Sequence, residues 1–424
     1  MLTQIERNEI ISLIRQEVTP AIGCTEPIAV ALAVAKVKEL LKVVPEKLDV
    51  FLSANVLKNA MGVGIPGTGR SGLPIAIAMG ALIGKPEYGL EVLRDSTPEM
   101  VEEGVKLVDS GMISIHLKED IAEKLYIEVS GVAGTDRARV IISREHTRFS
   151  LIEINGNILL KLADNEISET NKEQLQLSFG KVCDFAFETP VDEIRFILKT
   201  VELNKAAAVE ALKGTYGHSV AQTLSNGMMG HSVYNHMLSV TAAACDARMA
   251  GAMIPVMSNS GSGNQGIAAT LPVSVFAEET GKSEEELIRA LTLSHLITIY
   301  IKQSLGRLSG LCGAVVAATG SGCGVTYLMG GTREQIGFTV KYMIGNVTGM
   351  ICDGAKPSCA LKIASGTSTA MLSALMAMEN KVVTSQEGIV DDDVDKTIQN
   401  LAIIGSKGMA ETDKIVLDVM TRKG

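Results

Sequence analysis

MISIHLK (112–118), KLYIEVSG (124–131), RARVIISR (137–144) and FSLIEING (149–156) are short runs, alternating or rich in β-branched residues, with turn residues between them. Period-two alternation punctuated by Gly, Asp, Asn and Ser is the pattern of a small antiparallel sheet, and it predicts a β-rich unit over about 96–162. The texture on both sides is helical. Leu2 to about Lys42 has helical periodicity broken at VTPAIGCTEP, Asp49–Ala54 suits a short strand, and Ser71–Gly84 and Pro98–Asp109 suit helices. Beyond the β-rich unit, Lys172–Glu188, Val191–Lys213, Val233–Gly251, Gly266–Thr280, Glu284–Leu305 and Ser358–Met378 read as helices. Thr3/Glu6, Ser283/Glu286 and Thr332/Gln335 have capping-box spacing. The expected fold is α+β: a large, mainly helical domain over 1–95 and 163–424 that carries the chemistry, with a small antiparallel β-rich domain, 96–162, inserted into it.

Composition narrows the function classes. A chain of 424 residues can bury a large core. Its net charge of −9 comes from interspersed acids and bases, and it has no Trp, so neither a basic nucleic-acid footprint nor a base-stacking platform is expected. Two long uncharged stretches, Leu308–Thr332 and Met253–Ala277, are broken by glycines and by Pro255 and Pro272, which is unsuitable for lipid. The N-terminal MLTQIERNEIISLIRQ is a charged amphipathic helix rather than a signal sequence. Seven cysteines scattered along the chain do not suggest a disulfide framework. The expectation is a cytoplasmic protein with no membrane contact.

The chemistry concentrates in cysteines and glycine turns. Cys312 sits in LSGLCGAVVAATG, and Cys352 and Cys359 sit in MICDGAKPSCALKIASG. Thiols among Gly, Ser and Pro are placed to ligate, and three soft ligands suit zinc, copper(I) or an iron–sulfur cluster with one position left open. Their spacing matches neither paired zinc patterns nor ferredoxin runs, so plain burial stays open as the alternative. GTGRSGL (67–73) and GSGNQGI (261–267) share the form G-[ST]-G-x-x-G-[LI]. Without a preceding strand and a βαβ unit they do not make a dinucleotide site. They read instead as glycine turns at helix N-termini able to hold a carboxylate, or as close helix packing.

SNSGSGNQG (258–266) also resembles the loop with which pyridoxal-phosphate eliminases grip an amino-acid carboxylate. The Schiff-base lysine that should precede it is missing, because no lysine lies between Lys213 and Lys282. Asn259, Ser260, Ser262, Asn264 and Gln265 remain as carboxylate-recognition candidates. His231, beside His236 in MMGHSVYNHMLS, is a possible base near neutral pH. Lys302 ends an apolar helix just before Cys312, and Cys24, in PAIGCTEP, opens a helix whose N-terminus should lower its thiol pKa. Cys183 and Cys245 look like core, and Cys323 in GSGCGV is undecided.

Taken together, PAIGCTEPIA, NVLKNAMGVGIPGTG, MSNSGSGNQG, IKQSLGRLSGLCGA and CDGAKPSCALKIASG resemble the L-cysteine desulfidase family, a relative of the alpha domain of iron–sulfur L-serine dehydratases. CDGAKPSC is shorter than the dehydratase C-D-P…P-C segment, which favours the desulfidase branch. The resemblance implies a [4Fe–4S] cluster held by Cys312, Cys352 and Cys359 with one iron open, and Cys24 beside the substrate or as a ligand. It implies β-elimination of L-cysteine to pyruvate, ammonia and sulfide, with the substrate thiolate on the open iron. Cys24 is then the first candidate for the Cα base, followed by His231 and Lys302. The segments Asn55–Gly69, with Asn55, Lys58 and Asn59, and 258–266 would fix the carboxylate and amine. Alternatives are an iron–sulfur serine deaminase, a pyridoxal-phosphate eliminase and a non-catalytic metal or redox sensor. The expected partner is a small amino-acid substrate, and the Gly- and Ala-rich helices suit a homo-oligomer.

Overall fold

All three predicted capping boxes form. Thr3, Ser283 and Thr332 each accept a hydrogen bond from the third backbone N–H of their helix, while Glu6, Glu286 and Gln335 reach back. Each such cap is worth about 1 kcal/mol. The computed structural model describes residues 2–119, 121, 123–162, 175–226, 230–306 and 309–422. The N-terminal part holds α1 (Gln4–Glu17), α2 (Thr25–Leu41), α3 (Ala54–Ala60), α4 (Leu73–Ile83) and α5 (Pro98–Asp109). Interleaved with these are β1 (Pro20–Ile22), β2 (Lys47–Leu52), β3 (Gly64–Ile65) and β4 (Arg70–Ser71). Then come β5 (Ile113–Leu117), β6 (Tyr126–Ala133), β7 (Asp136–Ser143), β8 (Phe149–Ile154) and β9 (Asn157–Lys161).

The remainder is helical apart from β10 (Pro255–Met257), which pairs with β1. Its helices are α6 (Phe179–Glu188), α7 (Val191–Ile194), α8 (Leu198–Lys213), α9 (Val220–Leu224), α10 (Val233–Met249) and α11 (Gly263–Glu279). They continue with α12 (Glu284–Leu305), α13 (Gly313–Leu328), α14 (Arg333–Val347), α15 (Cys359–Met378), α16 (Val394–Ile403) and α17 (Ala410–Thr421). The predicted start of a helix at Lys172 and the predicted domain boundary at 163 lie outside the described residues.

The α+β expectation holds, with one change to the sheet. Its strand order is β5-β2-β6-β7-β8-β9, and β2 runs parallel to β5 and antiparallel to β6. The sheet is therefore mixed rather than purely antiparallel, and its second strand comes from residues 47–52, ahead of the 96–162 segment. A parallel neighbour requires a crossover, and α3, α4 and α5 supply it. Alternation in β2 turns Leu48, Val50 and Leu52 into the core, while α2 packs on the neighbouring strands β6 and β7 and α4 on β5.

Helix α13 lies at the centre of the helical part, packed on α11, α12 and α15. Its uncharged sequence reflects that position. A Cβ at Gly320 would collide with the Ser294 backbone, so α12 and α13 approach as closely as they do only because that residue is glycine. Among the described residues no helix is long and apolar enough to cross a membrane.

Candidate functional site

A cavity of about 300 Å³ opens between the helical part and one end of the sheet. Its wall is built from helix beginnings. Cys24 caps α2, Ser262 caps α11, Cys312 caps α13, and Cys359 is the first residue of α15. Each N-terminus carries about half a positive charge from its unpaired N–H groups, so the cavity favours anions.

The two segments carrying the predicted ligands are held together by backbone. Cys312 N–H donates to Met350 O at 2.9 Å, Cys352 N–H donates to Gly310 O at 2.8 Å, and Leu311 bridges Ile351. Lys58, 2 % exposed, ties this pair to α3 and α17: its Nζ donates to Cys352 O at 3.1 Å and to Asp413 Oδ1 at 2.5 Å. Gly354 has a φ of +87°, and a Cβ there would strike Lys58 O, so glycine is needed where this loop turns beneath α3.

Cys312, Cys352 and Cys359 all line the cavity. Burial pushes the Cys312 thiol up to about 12, and Cys352 and Cys359 push it further in the same direction, which places the three groups within electrostatic reach. Lys362 donates to Ile351 O at 2.9 Å and pairs with Asp353, adding a cation beside Cys312 and Cys352. Among the described residues no three His, Cys, Asp or Glu side chains are gathered as a single metal ion requires. An iron–sulfur cluster takes each thiolate at a different iron, so its ligands stand further apart than those of one ion. Three thiols on one wall, backed by helix N-termini and Lys362, suit an anionic thiolate-ligated cluster.

Glu26, 7 % exposed and two residues past Cys24, lines the same cavity. Its Oε2 accepts from Cys24 Sγ at 3.0 Å and Thr25 Oγ1 at 3.1 Å, and its Oε1 accepts from Asn59 Nδ2 at 2.9 Å. Burial works against ionisation here, but the charge of His146 and the bonds from Cys24 and Asn59 outweigh it and hold the carboxyl below its ordinary range. Cys24 moves the opposite way. Burial, and then the Glu26 charge, push its thiol well above the ordinary value despite Arg248 nearby. Burial and the Glu26 carboxylate therefore work against the thiolate expected for Cys24 at the start of α2, and its Sγ donates to Glu26 instead.

Lys302, Asn55, Lys58, Asn59, Ser260, Ser262, Asn264 and Gln265 also line the cavity. His231, a candidate base by sequence, does not; it is exposed just before the N-cap of α10. Asn259 is fully buried and faces away from the cavity wall into the protein, with Nδ2 donating to His295 Nδ1 at 3.0 Å. Its part is to hold the loop, not to touch a ligand. Of the two similar glycine turns only 261–267 reaches the cavity; 67–73 forms the β3–β4 hairpin instead. Cys323 is buried in α13 against Ile336 O, away from the cavity.

Several wall residues escaped the sequence reading. Glu26 had a signal, an acid at the second position of α2 just ahead of the apolar run 28–35. Arg248 had a weaker one, a charge at the end of the apolar α10. Glu123, Lys124, Arg144 and His146 come from the β5–β6 and β7–β8 connections, and nothing local marks them.

His295 fixes the 258–266 loop from behind. Asn259 donates to its Nδ1, so its Nε2–H donates to Thr270 Oγ1 at 3.0 Å, and Thr270 donates to Gly266 O at 2.7 Å. Burial depresses the His295 pKa to about 3. An unfolded histidine titrates near 6.5, so the stability contributed by neutral His295 is intact above that pH and declines as pH falls toward 3. Wild type is expected to lose about 2 kcal/mol more than His295→Gln between pH 7 and pH 5, read as the shift in denaturant midpoint.

The mainly helical part thus presents an anion-favouring cavity with three thiols in its lining. Residues 87–418 match the family described as serine dehydratase alpha chain, and the chain belongs to that family. It is also similar along its length to UPF0597 proteins. These include one of Bacteroides thetaiotaomicron, 64% identical with 100% of each chain covered. Another, of Porphyromonas gingivalis, is 54% identical over 98% of this chain and 99% of the relative. A third, of Shewanella pealeana, is 45% identical over 97% of each.

Proposed function

We propose that this protein is a cysteine desulfidase: a [4Fe–4S]-dependent lyase that converts L-cysteine to pyruvate, ammonia and sulfide. The observation that carries the proposal is the meeting, in one cavity of about 300 Å³, of Cys312, Cys352 and Cys359 with Glu26, His146 and the 260–265 turn. A cluster on the three thiolates would supply an open iron as Lewis acid for the substrate's sulfur.

The chain's own residues do the rest. The turn at 260–265 and the N-termini of α2 and α11 receive the carboxylate. His146, held beside the Glu26 carboxylate, takes the Cα proton, and Glu26 steadies the imidazolium that results. The electron pair left on Cα forms the Cα–Cβ double bond as the Cβ–S bond breaks, and sulfur leaves with the bonding pair. Aminoacrylate then tautomerises to the imine, and water hydrolyses it to pyruvate and ammonium. Burial of the wall excludes bulk water during the elimination. A thiolate suits a sulfur-ligated iron better than a hydroxyl does, which is the argument for cysteine over serine. The family's description favours serine as the second reading.

The test is product formation from L-cysteine and L-serine by anaerobically prepared, cluster-reconstituted protein. Sulfide and pyruvate from cysteine should exceed pyruvate from serine by about 100-fold in kcat/KM. Faster turnover of serine would keep the elimination and change the leaving group.

A further inference from the structure

We propose that Arg248 is the anchor for the α-carboxylate of the substrate, seated where the N-termini of α2 and α11 meet. The inference rests on the proposed elimination for its substrate, but its physical basis is separate.

Arg248 ends α10 and is 3 % exposed, yet it lines the cavity. Its guanidinium donates only to neutral oxygens. Nη1 binds Asn264 Oδ1 at 2.9 Å, Nη2 binds Gly23 O at 2.9 Å, and Nε, also buried, has no partner. Among the described residues no carboxylate forms an ion pair with it. Glu26, in the same wall, is engaged by Cys24, Thr25 and Asn59. A buried cation without a counter-ion is costly, and an arrangement this well fixed implies an anionic ligand.

The two neutral contacts define where that anion sits. Gly23 immediately precedes the N-cap of α2, and Asn264 lies in the first turn of α11. Arg248 therefore clamps two 17-residue helices by their positive ends. Gly263 makes the approach possible, because a Cβ there would collide with the guanidinium. A second orphan completes the pattern: Gln265 Oε1 is buried, lines the cavity and has no partner. A cationic pole at Arg248 and an acceptor at Gln265 match the carboxylate and ammonium of a free α-amino acid. A cysteine residue within a peptide has neither group.

The experiment separates the two poles with fragments of the substrate. Anaerobic, cluster-loaded protein is titrated calorimetrically with 3-mercaptopropionate, which keeps the thiol and carboxylate, and with cysteamine, which keeps the thiol and ammonium. Wild type is expected to bind 3-mercaptopropionate at least about 100-fold more tightly, and Arg248→Met should bring the two within about tenfold, the scale of a desolvated charge pair. Arg248→Lys should fall between, since it keeps the charge and loses the fork. Equal affinities in wild type, or an undiminished preference in Arg248→Met, would overturn the anchor. The wild-type comparison holds even if the methionine variant does not fold. Tight 3-mercaptopropionate binding by protein that turns over neither amino acid would sink the reaction and leave the anchor standing. Cysteine turnover with unchanged KM in Arg248→Met would do the reverse.

Discussion

Serine in place of Cys312, Cys352 or Cys359 is expected to abolish the sulfur-to-iron absorbance of reconstituted protein and to lower cysteine turnover at least about 1,000-fold. That is the scale set when a Lewis acid worth several kcal/mol is lost. The fold should survive, because the backbone bonds from Cys312 to Met350 and from Cys352 to Gly310 do not involve the thiols. Unchanged far-ultraviolet dichroism with lost absorbance and activity would bear this out. A Cys352→Ser protein that keeps full activity would sink the cluster assignment. Retained activity in none of the variants, with iron still bound in all, would argue instead for a different set of ligands.

Replacing the acid–base pair should give the second large effect. His146→Gln is expected to lower kcat by about 10²–10⁴ while leaving the cluster absorbance intact, as loss of a general base does. Glu26→Gln should act in the same direction. An amide cannot accept from both Cys24 and Asn59 while balancing an imidazolium, and the Glu26 carboxyl, held below its ordinary range, is otherwise charged throughout neutral pH. In wild type the acidic limb of kcat/KM should follow the base rather than Glu26. That limb should vanish in His146→Gln. A pH profile unaltered by the substitution would remove His146 from the reaction and favour Lys302, one of the lysines in the wall.

Much of this was legible from local signals. The strands β5 to β8 showed themselves by alternation, and the helices with Ser283 and Thr332 caps by short-range chemistry that depends on three or four neighbours. The three cysteines that line the cavity stood out because glycine and proline turns around a thiol are a local anomaly. The remaining features are long-range. Nothing within β2 says that it pairs parallel to β5, since both faces of that choice satisfy its alternation. His146 enters the site only because a strand connection is carried across to the helical part. Asn259 read like its neighbours Ser260 and Ser262, which do line the cavity; its inward direction depends on His295, 36 residues away. At Cys24 two opposing effects meet. A helix N-terminus does favour thiolate, but burial beside a carboxylate outweighs it.

The bond from Lys58 to Asp413 spans 355 residues, and the same lysine holds the carbonyl of Cys352. Contacts so distant in sequence form late, after the entropy of closing the intervening chain has been overcome. Before that point Cys312, Cys352 and Cys359 belong to loops with no common wall. A partly folded chain therefore presents isolated thiols to passing iron rather than a prepared seat. On the proposed reading, capture of a cluster would then report that α17 has docked against α3.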